Sequence, residues 1–159
     1  MTSDRHPMTI TGKARLEAEL KHLLQVERPE VVRAIEEARG HGDLSENADY
    51  DAAKERQAFC ESRINDLQAK LAAADVVDPS KLKSDKIIFG ATVTLEDQES
   101  GGTVTYQIVG EDEADVKAGK ISIFSPLSRA MIGKSKGDLI EFSSPKGDKE
   151  YEVLNFVFK

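Results

Sequence analysis

Asp43 and Glu46 are the residues whose type and spacing best suit them to chemistry. They stand three apart in Gly40-His41-Gly42-Asp43-Leu44-Ser45-Glu46-Asn47-Ala48-Asp49-Tyr50, a glycine-broken stretch between two long helical patterns. At that spacing their side chains can converge on one side of a turn. Carboxylate oxygens are hard ligands suited to Mg²⁺, which keeps several waters and is usually held by one or two protein carboxylates together with substrate phosphates. Two carboxylates alone make a poor autonomous metal site. They make a good half-site, completed by another protein's carboxylates and by phosphates. The same residues fit a plainer reading, with Asp43 as N-cap of the second helix and Glu46 three residues on, as in a capping box. Spacing alone leaves both readings open.

The remaining polar residues offer less. His6, His22 and His41 are scattered, and none has metal-ligand spacing to another His or Cys. Cys60 is the only cysteine, which excludes an intramolecular disulfide and a cysteine metal cage. Ser125 and Ser128 have no base near them in sequence, and Ser125 before Pro126 reads as a helix cap. No glycine loop of the phosphate-cradling kind is present; Ser100-Gly101-Gly102 is a hairpin turn.

The elements that must position the acidic stretch are two helical arms. Thr11 is the expected N-cap of the first, and Leu16, Leu20, Leu23 and Leu24 follow at helical spacing. Pro29 removes a donor and crowds the preceding turn, so a kink or short break is expected near Glu27-Arg28. Val31, Ile35 and Ala38 carry the apolar stripe onward. Beyond the glycines, Tyr50, Ala53, Gln57, Cys60, Ile64, Leu67, Leu71 and Ala74 alternate steps of three and four, a heptad seam. One helix cannot bury such a seam, so the arms are expected to fold back antiparallel. Arms of roughly 28 residues extend about 40 Å.

Val76-Val77-Asp78-Pro79-Ser80 ends the helical region. Apolar residues then recur with period two in strands expected at 87–95, 103–109, 121–123, 139–142 and 151–158, with a short helix over 125–132. The fold class expected is α+β: an antiparallel coiled-coil hairpin followed by a small, mainly antiparallel sheet packed on one helix. The expected divisions are an N-terminal extension at 1–8, a hairpin at 9–78 with its acidic tip at 41–50, a linker at 79–86 and a sheet domain at 87–159.

Charge narrows the function. The chain has 22 Lys and Arg against 29 Asp and Glu, a net charge of −7, with acidic residues in excess in both halves. Phosphate affinity grows with the number of cationic contacts, so unaided nucleic-acid binding is not expected as the main activity. Arg39, Lys54 and Arg56 flank the tip and are candidate phosphate contacts; as coil surface charges they are equally read as solvated. No apolar run approaches the ~20 residues of a membrane helix, and Met1 to Met8 lack a signal-peptide core. The expectation is a soluble, intracellular protein.

At the acidic stretch the sequence resembles the Gre family of bacterial transcript cleavage factors. The resemblance runs through Arg28-Pro29-Glu30-Val31, Ala38 to Tyr50 and Ala52-Ala53-Lys54-Glu55. It continues through Ile88-Phe89-Gly90-Ala91-Thr92-Val93, Gly110 to Asp115 and Ser125 to Lys134, so it covers nearly the whole chain. Leu44, and the lack of an extended basic patch, resemble its GreA branch rather than the GreB branch. The resemblance implies an N-terminal coiled coil and a C-terminal FKBP-like domain. It implies that RNA polymerase is the partner, that the C-terminal domain docks at the rim of the secondary channel, and that the coil reaches the nascent RNA 3′ end. Asp43 and Glu46 would then act on backtracked RNA with Mg²⁺ shared with the polymerase active site, no cofactor being intrinsic. Ser45, Asn47 and Tyr50 would support the tip. Phe124, Ser125, Pro126 and Leu127 are candidate polymerase contacts, or equally core and cap. The resemblance further implies a monomeric cofactor in the bacterial cytoplasm that is not catalytic alone.

Three other functions stay in view. A prolyl isomerase of the FKBP kind resembles an aromatic cup floored by Trp, and this chain has no Trp. A regulator that fills the channel without stimulating cleavage resembles Gre homologues with altered tips, whereas Asp43 and Glu46 both stand here. A plain coiled-coil scaffold would make tip substitutions silent.

Overall fold

The second helical pattern forms a single helix, α3, Ala48–Ala72, in a computed structural model that describes residues 5–42 and 47–159. The seam residues Ala53, Cys60, Ile64 and Leu67 are buried along it, and Tyr50, Gln57 and Leu71 are half-buried. Their partners come from the first arm, which comprises α1 (Ile10–His22), a π-helical turn (Leu23–Glu27) and α2 (Arg28–Arg39). Val31 and Ile35 of α2 meet Ala53, with Ala34 and Tyr50 packed at the margin. The expected antiparallel hairpin is therefore present. Residues 13–74 form one unit, and residues 5–12 with 75–159 form another.

Pro29 does not break the arm. The helix widens ahead of it, so that the Arg28 N–H reaches the Leu23 carbonyl five residues back and Pro29 falls in the first turn of α2. Widening accommodates the proline ring and missing donor without ending the helix. Two arginine forks tie the arms together. Arg28 donates to both oxygens of Glu61 at 2.8 and 2.6 Å, and Arg63 to both oxygens of Glu19 at 2.6 and 2.8 Å.

The N-terminal boundary differs from expectation in two respects. His6–Thr9 is a strand, β1, paired in a two-stranded sheet with β2 (Ala74–Val77), and Met8 and Thr9 are buried. The first helix is capped by Thr9, whose hydroxyl accepts the Gly12 N–H at 3.1 Å, while Thr11 is exposed within the helix. Strand β1 needs a partner more than sixty residues away, a pairing that local periodicity does not reveal.

The second unit is built on a five-stranded sheet. In chain order its strands are β3 (Thr92–Asp97), β4 (Thr103–Val109), β5 (Lys120–Ser122), β6 (Leu139–Ser144) and β7 (Gly147–Val157). Their spatial order is β5-β4-β3-β7-β6. All neighbours are antiparallel except β4 and β5, so the sheet is mixed. The α+β class holds. Helix α4 (Pro126–Met131) packs beside β6 and sends Met131 into a core with Val93, Leu95, Ile108, Ile140 and Val153. The strand expected from residue 87 begins at Thr92. Ile87 and Ala91 are buried in a turn around Gly90 at φ +93°, a conformation open to glycine. Among the described residues no helix is long and apolar enough to cross a membrane.

Candidate functional site

Helix α2 ends at Arg39, and its last carbonyls are taken up locally. The Gly40 N–H is shared between Glu36 O and Glu37 O at 3.3 and 3.1 Å, His41 N donates to Ala38 O at 3.1 Å, and Gly42 N donates to Arg39 O at 3.3 Å. Gly42 turns the chain at φ +97° with open space where a Cβ would stand. Asp43, Leu44, Ser45 and Glu46 lie outside the described residues. The chain resumes at Asn47, the N-cap of α3. Asn47 caps α3, and the capping reading of Asp43 and Glu46 lies outside the described residues.

Among the described residues Asn47 makes two side-chain hydrogen bonds, both to backbone. Its Oδ1 accepts the Tyr50 N–H at 3.1 Å, and its Nδ2 donates to the Ala38 carbonyl at 2.6 Å. Tyr50, one turn into α3, packs on Val31, Ile35 and Ala53. His41 Nδ1 approaches Asp49 Oδ2 at 3.7 Å. Asp49 and Asp51 lie in the first turn of α3, where carboxylates are favoured by the helix dipole.

The three candidate cations diverge. Arg39 is exposed at the end of α2. Lys54 Nζ donates to Gln57 Oε1 at 3.0 Å on its own helix. Arg56 pairs with Glu27 at 3.5 Å across the hairpin. Arg56 also lines a groove below the tip floored by Ala34, Ala38, Ala52 and Ala53, with Glu37, His41 and Asp49 at its edge. Neither Arg39 nor Lys54 lines that groove.

In the second unit Phe124 is 48% exposed and Pro126 is also exposed. Ser125 caps α4, its hydroxyl accepting the Ser128 N–H at 3.2 Å, and Leu127 packs on the core. The four candidate docking residues therefore divide into an exposed pair, a cap and a core margin.

On the hairpin arms, electrostatic shifts fall at Glu61 and Cys60. The Arg28 fork holds the Glu61 carboxyl below the usual carboxylate range. Burial in the seam pushes the Cys60 thiol up, away from a reactive thiolate. Among the described residues no group of three or more His, Cys, Asp or Glu gathers where it can hold a metal. Two features escaped sequence reasoning: the Asn47 amide bond to Ala38, and the arginine forks across the arms. An Asn ahead of a helical run signals a cap, but a bond nine residues back has no sequence signature.

Comparison with known proteins finds matches in both halves. The family described as "Transcription elongation factor, N-terminal" matches residues 6–76, and "Transcription elongation factor, GreA/GreB, C-term" matches residues 82–157. The chain is 58% identical over 156 residues to a protein of Hyphomonas neptunium named "Transcription elongation factor GreA", covering 98% of this chain and 99% of that one. It is 60% identical over 148 residues to a protein of the same name from Ralstonia nicotianae, covering 92% and 94%. Among solved structures, the GreA factor homolog 1 (Gfh1) protein of Thermus thermophilus is 28% identical with a TM-score of 0.44, covering 96% of this chain and 98% of that one.

Proposed function

The chain belongs to the GreA/GreB family of transcription elongation factors, and from that premise we propose that it brings Asp43 and Glu46 to the active site of RNA polymerase. It is an elongation factor of the Gre type, which stimulates cleavage by the polymerase and is not an independent enzyme. In this reading the hairpin enters the secondary channel tip first, in the bacterial cytoplasm, and the target is the 3′ end of backtracked nascent RNA. The observation that carries it is the pair of carboxylates between α2 and α3, at the end of a hairpin whose α3 alone spans about 37 Å.

The donor set fits Mg²⁺ as a half-site. Two carboxylates leave a hard, six-coordinate ion short of ligands that phosphates and a second protein can supply. When bound, the ion would neutralise charge on the phosphate. Asp43 would hold it through a carboxylate oxygen. Glu46 would orient the attacking water and accept its proton, while the water oxygen bonds to phosphorus and the RNA 3′-oxygen on the opposite side leaves and takes up a proton from water. Arg39, Lys54 and Arg56 offer charge to the RNA phosphates on the approach. Ser45 and Tyr50 support the tip, and the exposed Phe124 and Pro126 dock the second unit on the polymerase, with Ser125 and Leu127 holding them in place.

The test adds the protein to stalled, backtracked polymerase with Mg²⁺ and follows RNA length. Wild type should shorten the RNA. Asp43→Asn and Glu46→Gln should each compete with wild type for polymerase yet cleave at least 100-fold more slowly at saturation, the range lost with a positioned base or ligand. Wild-type binding without RNA shortening would mean a channel-filling regulator instead.

A further inference from the structure

The side chain of Asn47 bonds to both helix ends that flank Asp43 and Glu46 in sequence. Asn47 caps α3 through Oδ1, and its Nδ2 reaches the Ala38 carbonyl in the last turn of α2 at 2.6 Å. Capping uses only the oxygen, so the second bond has no part in starting the helix. It closes a ring from Ala38 to Asn47, on a carbonyl that already accepts the His41 N–H. The backbone O of Asn47 takes the Asp51 N–H at 3.1 Å, which anchors the same residue in the first turn of α3. No described acidic side chain bonds to the Asn47 amide.

We propose that Asn47 is a positioning residue for RNA cleavage, its amide a clasp that sets the separation of the α2 and α3 ends between which the two carboxylates are strung. The proposal rests on the cleavage-stimulating reading above. It follows from the tolerance of in-line chemistry, in which a displacement of about 1 Å costs on the order of 10²-fold in rate. A hairpin held together only by its seam would leave that separation to the loop.

Two variants separate clasp from cap. Asn47→Asp keeps an acceptor for Tyr50 N and a charge favoured at a helix N-terminus, but has no donor for Ala38 O. Asn47→Ser keeps a neutral, short cap that cannot reach across. RNA cleavage by backtracked polymerase is measured against factor concentration, with urea midpoints beside it. Both variants are expected to retain the wild-type midpoint and half-saturating concentration, and to lose at least tenfold in saturating rate. Saturating rates within twofold of wild type overturn the clasp. So does a rise in half-saturating concentration alone, which marks a binding contact, or a loss confined to the Asp variant, which marks charge repulsion. A loss that tracks a fallen urea midpoint marks a purely structural role and overturns it as well. Wild type itself failing to cleave removes the functional reading and is told apart by that control.

Discussion

Glu113 is 5% exposed, an unusual place for a carboxylate, and its surroundings explain why it is tolerated. Its oxygens accept from Thr9 N at 2.9 Å, from Gly110 N at 3.1 Å and from the Thr9 hydroxyl. Glycine makes room for it, since a Cβ on Gly12 would lie 2.1 Å from Glu113 Cδ. Glu113→Gln keeps an oxygen for the Thr9 and Gly110 N–H groups but turns its amide nitrogen to the Thr9 hydroxyl, and losing that hydroxyl's bond to a charged acceptor costs about 1.5–3 kcal/mol. A loss of that size is expected in the unfolding free energy from urea titration; an unchanged midpoint would show that the site relaxes around the amide. At this scale the sequence is legible in kind and not in partner. Asn47 and Thr9 are ordinary cap residues, and Ser125 was read correctly as one. Thr11 has the residue type of a cap, but Thr9 fills the position because the backbone leaves strand β1 there. Glu113 carries no mark of burial, because two of its three donors come from Thr9, in a strand about a hundred residues earlier.

Period governs what can be read of the elements. The three-and-four spacing of α3 places Ala53, Cys60, Ile64 and Leu67 inside, while Phe59, apolar but off the seam, is 78% exposed. Leu67→Ala is therefore expected to cost about 2–5 kcal/mol, and Phe59→Ala about 0.5 kcal/mol or less. Urea unfolding followed by helical circular dichroism measures both, and equal losses would mean the seam is misplaced. The sheet was less legible where tertiary contacts override alternation. Ile87 to Ala91 has strand-like residues, yet Gly90 turns it and its apolar side chains enter the core from a loop. The parallel pairing of β4 and β5 is invisible locally, since three residues of β5 carry no orientation signal. The β3–β4 turn yields a pH effect. Asp97 accepts the Glu99 N–H at 2.9 Å and the Lys149 ammonium at 3.1 Å, and these bonds hold its carboxyl below the usual range. A carboxyl depressed by folding adds stability above its unfolded value of about 4 and loses it as pH falls through the folded one. Asp97→Asn should therefore lower the urea midpoint more at pH 7 than at pH 2. A loss of equal size at both would place the effect in packing.

For the whole molecule, the change of period near Pro79 divides the sequence into a helical half and a sheet half, and the proposed function gives them different work. Binding to polymerase is assigned to the exposed apolar pair Phe124 and Pro126, chemistry to Asp43 and Glu46. Uniform binding and rate acceleration separate in kinetics: losing a docking contact raises the concentration needed, whereas losing a group that acts only in the transition state lowers the rate at saturation. Phe124 is half exposed and outside the core of the second unit, so Phe124→Ser should leave the fold in place. It is expected to raise the half-saturating concentration for RNA cleavage at least fivefold with the saturating rate within twofold of wild type. Asp43→Asn should show the reverse pattern, and the two effects should multiply in the double variant, as independent sites do. A fall in saturating rate from Phe124→Ser alone would mean that docking also aligns the tip, and the division between the halves would fail. The net charge of −7 bears on the same measurement. If the acidic hairpin enters a site that holds RNA, as proposed, that entry gains from salt screening, whereas apolar docking does not depend on it. Raising salt should therefore leave the fivefold ratio between Phe124→Ser and wild type intact while moving both curves together; a ratio that shrinks with salt would assign the contact at Phe124 to charge rather than to its exposed ring.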